Sequence, residues 1–490
     1  MAADRPNIVW LLTDHHAFAH HLSLPGPKPE IPTHDRIAAD GVRFDRAYAV
    51  CPLCTPARAS MLTGVYPHKH GMALNNGDCG ARREFDRDAR LFSHYLRQAG
   101  YRCGYFGKWH CGVRRGPMDY GFEGWSMPGY GLPYKTDRYA AYLAELGLPQ
   151  MEVDVDWHEN TPSRQGRHVL RDDPHEGFHM NAAGIMTTPV ETHEAYFVTH
   201  MANQWLAERA RDGQPFCLRV DVWGPHQPHF VGEPFAGSID PASIPEYPNY
   251  AHGLADRPQM HRDFRDRWTR RTWEQWAFVL ARCFEHVRQV DAALGRVVDA
   301  LEELHLADDT LLVYTADHGD ILGAHGGTFD KGALMVEETE RIPLAVRWPG
   351  RIAPGQRSDA LLTHMDIVPT VLEAAGAEIP PETDGRSLLP LAQDPAADWR
   401  DDLMCQHHGH LGELRFQRML RWGDCKYVAH LRDSDELYDL KADPYELTNR
   451  IDDPAMADVL AEMRRRLARR MIEHDDNAPF AQGLRSGKLE

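Results

Sequence analysis

Several places in the sequence join residues capable of polar chemistry to the end of a short apolar run: Asp14-His15, Cys51-Pro-Leu-Cys54, Lys108-Trp-His110, Pro225-His226 and Asp317-His318. Carboxylates beside imidazoles can hold a divalent cation or move protons. A Cys-x-x-Cys pair can be a redox couple or half of a zinc site, but the chain has no second such pair. Pro56 and Gly64 bracket Ala57–Leu62 as a helix, which places Cys54 at its start. Free N–H groups and the helix dipole favour an anion there, and Arg58, one turn on, adds donors aimed the same way. On these residues alone, a reactive cysteine and a pair of buried structural thiols both remain open.

The elements that must position these groups are legible from hydrophobic pattern. Asn7–Thr13, Tyr101–Phe106, Phe216–Val222, Leu311–Thr315 and Leu344–Arg347 are rich in β-branched and aromatic residues and apolar on both faces. That pattern predicts buried strands of a mostly parallel sheet. Between the third and fourth, Val287, Val290, Leu294, Val297, Val298 and Leu301 form one helical stripe, with Glu285, Arg288, Arg296 and Glu302 expected to face out. Strands alternating with helices predict a doubly wound α/β fold flanked by helices, whose ligands bind beyond the carboxyl ends of the strands. Residues 126–180 and 228–272, rich in Pro, Gly, Tyr, Trp and His, read as loops over the sheet that select substrate. Near residue 395 the pattern changes. Short strands at Arg418–Trp422, Lys426–Ala429 and Glu436–Asp439 precede a helix from Met456 to His474 with Leu460, Met463, Leu467 and Met471 on one face. The reading is an α/β domain over 1–395 and a small α+β domain, with antiparallel strands and a helix, over 396–490.

Composition narrows the partners. Of 490 residues, 42% are apolar and 26% charged, as in a folded globular protein, and the net charge is −18. That charge argues against nucleic acid, since the one dense basic run, Arg464 to Arg470, lies in the C-terminal helix. No apolar run is long enough to span a bilayer. The N-terminus has none of the basic start, long apolar core and cleavage site of a signal peptide, and nine cysteines is an odd number. A cytoplasmic protein with reduced thiols is therefore expected.

Cys54-Thr-Pro-Ala-Arg58-Ala-Ser-Met-Leu-Thr63-Gly64 resembles the signature C-x-P-[SA]-R-x-x-x-[LM]-T-G of the type I sulfatases, in the alkaline phosphatase superfamily. Gly100-Tyr-Arg-Cys-Gly-Tyr-Phe-Gly107-Lys108-Trp-His110 is similar to the family's second signature. The resemblance continues through Gly224-Pro-His226-Gln-Pro228, Thr315-Ala-Asp317-His318-Gly319-Asp320, Lys331-Gly, and Glu337-Glu338-Thr-Glu-Arg341-Ile-Pro343. It reaches Glu436-Leu-Tyr-Asp-Leu, Asp443-Pro-Tyr-Glu and Asn449, so it spans roughly residues 7 to 450.

The resemblance implies a sulfuric ester hydrolase, arylsulfatase-like, in which a formylglycine-generating enzyme oxidises Cys54 to formylglycine. The hydrated aldehyde is the nucleophile and forms a covalent sulfo-enzyme. It also implies one divalent ion, Ca2+ or Mn2+, held by Asp14, His15, Asp317, His318 and a hydroxyl of residue 54. Arg58 orients that residue, Lys108 and His110 hold the sulfate and the second hydroxyl, and His226 and Lys331 donate to the leaving oxygen. Two positions bear on the metal: His15 stands where Asp, Asn or Gln is more usual, and His318 where Asn or His is usual, and two imidazoles would favour a softer ion than calcium unless His15 is turned away. The alternative on the same fold is a phosphonate monoester hydrolase or phosphodiesterase, a branch that tends to lack the Gly-Lys-x-His element. The substrate is expected to be a small aryl or alkyl sulfate or a sulfated sugar. Trp109, Trp125, Tyr130, Tyr134, Trp223, His229 and Phe230 are candidates for its pocket, and assembly as a homo-oligomer stays open.

Overall fold

A computed structural model describes residues 5–158, 164–172 and 181–478. Parts of the expected 126–180 loop region, and the end of the 396–490 segment, lie outside the described residues. The central sheet is built from β1 (Asn7–Asp14), β2 (Val42–Phe44), β3 (Arg102–Lys108), β4 (Glu123–Met127), β5 (Phe216–Pro225), β6 (Thr310–Ala316), β7 (Leu344–Arg347) and β8 (Gln356–Ser358). Their order across the sheet is β8-β2-β7-β6-β1-β5-β3-β4. The run β6-β1-β5-β3-β4 is parallel, while β7 lies antiparallel between β6 and β2. All of β5 and all but the first residue of β1 are buried, which is why both read as continuous apolar runs.

Register brings the chemistry together. Thr13 pairs with Ala316 and Gly107 with Asp221, so Asp317, Asp14 and Lys108 emerge side by side from the same edge. Gly107 is required there: its φ is +108°, and a Cβ would sit 1.9 Å from the Asp221 carbonyl oxygen.

The helices α1 (Cys54–Thr63), α2 (Glu194–Asp212) and α3 (Trp273–Glu303) cover the sheet. The stripe of α3 packs as expected: Val290, Leu294, Val297 and Leu301 meet Val9, Leu11, Val220 and Leu312. Glu285 departs from the expected outward face. It is fully buried, and its carboxylate accepts from the Ile239 amide at 3.0 Å and from Arg282 at 2.7 Å. Leu294→Ala is expected to destabilise the protein by about 2–5 kcal/mol, read as a lower denaturant midpoint with an unchanged slope.

The expected loop regions, together with Ala182–Met186 between them, hold a second, four-stranded sheet, from Glu152–His158, Gly166–Val169, Ala182–Met186 and His229–Val231. Its sequence signal is the alternation of buried Val153 and Val155 with outward Asp154 and Asp156.

The C-terminal sheet is antiparallel in the order β9 (Asp402–His410), β10 (Glu413–Trp422), β11 (Cys425–His430) and β12 (Glu436–Asp439), backed by α4 (Ala457–Glu473). Strand β9 is buried throughout, yet His407, His408 and His410 hide it from an apolar-run search. It docks beside the turn before α1, where the Gln406 amide donates to Val50 at 2.8 Å. Among the described residues, no helix is long and apolar enough to cross a membrane.

Candidate active site

At the carboxyl edge of the sheet, α1 begins directly on Cys54. Leu53 is extended (φ −150°), and Gly64 ends the helix at φ +74°. The hydroxyl of Thr55 donates to the His110 carbonyl at 2.8 Å, tying the start of α1 to the loop after β3. Cys54 is buried, and its Sγ lies 3.1 Å from His318 Nε2. Since His318 Nδ1 donates to the Gly319 carbonyl at 2.8 Å, Nε2 faces the sulfur. Burial disfavours the imidazolium, but Asp317 and Cys54 outweigh it and push His318 up to about 8. Burial likewise opposes a thiolate, yet Lys108, Lys331 and His318 bring Cys54 below the usual thiol range.

Asp14 and Asp317 flank this pair. Asp14 Oδ2 accepts from Lys108 Nζ, while its Oδ1 is buried with no hydrogen-bond partner. Burial would raise the Asp14 pKa, but Lys108, His226 and Arg58 hold it well below the carboxylate range. Asp317 moves upward, because burial and the charge of Asp14 both penalise a second carboxylate there. Its Oδ2 accepts from Arg58 Nε at 2.8 Å, and Oδ1 from the His318 and His15 amides at 2.9 and 3.3 Å.

Ligand-capable atoms of Asp14, His15, Cys54 and His318 all lie within 4.8 Å of one another. With an orphaned carboxylate oxygen aimed among them, and two carboxylates whose repulsion a cation would relieve, this donor set fits a divalent ion. Asp317 is not in that tightest group, although its Oδ1 is 3.9 Å from His318 Nε2. His15, at φ +61°, is already engaged at both ring nitrogens: Nδ1 with Asp320 at 3.1 Å and Nε2 with Lys331. It can ligate only by releasing one of them.

The remaining expected residues ring the same spot. Arg58 is clamped rather than turned toward Cys54, with Nη1 donating at 3.0 Å to both Asp221 and the Lys108 carbonyl. Its Nη2 is buried without a partner, 3.9 Å from Asp14. His110, at φ +54°, has neither ring nitrogen hydrogen-bonded, and burial with the charges of Lys108 and Arg58 keeps it neutral. The ring of His226 stacks on His15 at 4.0 Å, and its Nδ1 donates to the Gln227 carbonyl at 2.6 Å. Burial pushes its pKa down, and Lys108 and Lys331 add to that. Lys331 donates to Asp330 at 3.1 Å, and that carboxylate overcomes burial to keep the ammonium charged.

Sequence reasoning missed a supporting layer. Asp221 accepts from Arg58, from Arg219 Nε at 2.8 Å and from the Tyr105 hydroxyl at 2.7 Å. The available signal was Arg219-Val-Asp221, two charges interrupting an apolar strand. Tyr130 is more central than a pocket wall: Lys108 Nζ sits 4.3 Å over its ring, and its hydroxyl is 3.3 Å from His226 Nδ1. Tyr130, Tyr134 and Trp223 line a small cavity with His226 and Glu194. Trp109 does not reach it; it packs in the core against Tyr105 and Tyr120. Trp125 packs on Phe197, Phe230 is buried in the core, and His229 bonds His286.

The sequence model described as Sulfatase matches residues 6–377, and that described as N-sulphoglucosamine sulphohydrolase, C-terminal, matches 323–473. The uncharacterized sulfatase YidJ of Escherichia coli is 30% identical, over 94% of this chain and 86% of its own. The N-acetylglucosamine-6-O-sulfatase of Bacteroides thetaiotaomicron is 28% identical, over 97% and 88%. Among solved structures, one bound to its substrate D-glucosamine-2-N,6-O-disulfate superposes with a TM-score of 0.75 at 24% identity, covering 97% of this chain and 99% of its own. The phosphonate monoester hydrolase of Silicibacter pomeroyi gives 0.76 at 24%, over 96% of each chain. At such identities the superpositions speak for the fold.

Proposed function

The chain belongs to the sulfatase family, and on that premise we propose that it hydrolyses a sulfate monoester at the carboxyl edge of its sheet, with Cys54 matured to formylglycine. The observation that carries this reading is the convergence of Cys54, His318 and the unpartnered Asp14 Oδ1 on one buried spot ringed by Lys108, His110, His226 and Lys331. A sulfate ester is an anion, and this is a spot where buried cations gather beside a group able to attack.

Asp14, Asp317, His318 and residue 54 would hold a divalent ion, Ca2+ or Mn2+, which when bound neutralises ester oxygens and acidifies a neighbouring hydroxyl. A formylglycine hydrate at residue 54 would supply one hydroxyl as the nucleophile for sulfur and a second through which sulfate could be expelled. Lys108 opposes the negative charge on the formylglycine side, while Arg58, bonded to Asp317, Asp221 and the Lys108 carbonyl, holds the surrounding frame. His110, neutral and with both nitrogens free, accepts the proton of the second hydroxyl. His226 and Lys331 face the leaving oxygen and give it a proton or a hydrogen bond. An anionic sulfate beside His226 offsets the charges that keep it neutral and favours the imidazolium, the form that donates.

The names of the relatives make a sulfated amino sugar the first substrate to try. Protein co-produced with a formylglycine-generating enzyme should release sulfate from N-acetylglucosamine 6-sulfate or from a nitrophenyl sulfate, faster than it cleaves a phenyl phosphonate ester. No sulfate release from either would sink the reading, and a faster phosphonate reaction would favour the alternative. A proton donor matters most when the leaving group is basic. His226→Ala should therefore lose about 10^2- to 10^4-fold on an alkyl sulfate and far less on nitrophenyl sulfate. Equal losses on both would remove His226 from the donor role.

A further inference from the structure

Lys331 lies in a loop, outside any helix or strand, on a flexible four-carbon stem, yet its ammonium must stand at one point. Its surroundings offer three competing carboxylates, Asp14, Asp320 and Asp330. Besides its contact with His15 Nε2, the ammonium is held by a bridge from the C-terminal sheet: Asp330 Oδ1 accepts from Lys331 Nζ at 3.1 Å, and Asp330 Oδ2 accepts from His410 Nε2 at 3.1 Å. All three side chains are buried, and His410 Nδ1 has no partner.

The backbone is shaped for this contact. Asp330 is held at φ +62°, and Gly332 follows at +61°. On the other side, the pairing of β9 with β10 shifts register between His407 and Gly409. A Cβ on Gly409 would lie 1.9 Å from the Glu413 carbonyl oxygen, so the chain passes through a close approach that a side chain would block. Such a bulge re-aims the next residue, here His410 at the strand's end.

We propose that His410 and Asp330 form a positioning pair that holds the Lys331 ammonium at the leaving-group side of the site, so that the C-terminal sheet completes the active site of the α/β domain. Neither residue is placed at the reacting atoms; they act through Lys331. The inference rests on the sulfatase reading and extends it to a residue pair about 80 positions apart.

The test is a leaving-group series, from nitrophenyl sulfate to an alkyl sulfate, run on wild type, His410→Ala, His410→Gln, Asp330→Asn, Lys331→Ala and the Lys331→Ala/His410→Ala double variant. Loosening a donor by an ångström costs on the order of 10^2-fold. His410→Ala and Asp330→Asn should approach that loss on the alkyl sulfate and lose several-fold less on nitrophenyl sulfate. His410→Gln, which keeps an N–H for Asp330, should recover most of it. In the Lys331→Ala background His410→Ala should cost almost nothing more, because its effect runs through the lysine. A loss independent of leaving group, a full His410 effect without Lys331, no rescue by Gln, or no loss at all would each overturn the pair. Wild type inactive on every sulfate would instead overturn the sulfatase reading, and the pair's role with it. Far-UV circular dichroism of each variant separates these outcomes from misfolding, and Asp330→Asn, nearly isosteric, keeps the test decisive if His410→Ala fails to fold.

Discussion

Cys54→Ala is expected to abolish turnover, by on the order of 10^5-fold or more, while leaving the fold intact. The change removes a single sulfur atom from the first residue of α1; Ala57, Met61 and Leu62, which anchor that helix, are untouched. Stability should move little, and a thermal scan should show it. A second arm uses the mature protein: the peptide carrying residue 54 should be lighter than its sequence requires, sulfur having been exchanged for oxygen with loss of hydrogen. A serine variant distinguishes further. One hydroxyl can attack sulfur, but it has no second hydroxyl whose deprotonation expels sulfate, so Cys54→Ser should accumulate sulfated protein instead of turning over. Wild-type rates in Cys54→Ala would end the formylglycine reading. An unmodified thiol in fully active protein would do the same.

The site was legible where it depends on short stretches. Asp14 and Lys108 end buried strands, His226 and Asp317 directly follow them, and parallel strands in register deliver their ends to one edge. What stayed hidden depends on partners distant in sequence. Arg219 and Asp221 look like errors in an apolar strand until Arg58, about 160 residues away, and Tyr105 are seen to bond Asp221. Strand β9 is full of histidines that a polar-residue count assigns to the surface, although packing against the turn before α1 buries it. Trp109 shows the converse error. Its neighbours Lys108 and His110 both belong to the site, but the chain leaves the strand there, and the indole between them turns into the core. Adjacency to functional residues is a weak guide where the backbone changes direction.

Removal of the metal should also have a large effect. Asp14 carries the argument because its two oxygens do different work: Oδ2 receives the Lys108 ammonium and Oδ1 is buried with nothing bound to it. Leaving a carboxylate oxygen unsatisfied in a buried site is costly, so a bound cation is the economical occupant. Asp14→Asn keeps the volume and one oxygen for Lys108, which guards against unfolding from an unpaired lysine, but removes the charge a cation needs. Purified wild type should contain close to one equivalent of a divalent ion by elemental analysis, and Asp14→Asn should contain much less. Losing several kcal/mol of charge stabilisation corresponds to a rate loss on the order of 10^3-fold or more. Asp317→Asn should lose metal as well, with an added stability cost, because Arg58 would face a neutral partner at 2.8 Å. The donor set also bears on which ion is preferred. His318 Nε2 points at the site whatever His15 does, and one imidazole among carboxylates already shifts preference from calcium toward manganese. Chelated protein given back Mn2+ should therefore regain more activity at low metal concentration than protein given Ca2+, and His318→Asn should narrow that difference. Full-rate hydrolysis by metal-free protein, or an Asp14→Asn variant that keeps both its ion and its rate, would show that these residues hold no catalytic metal.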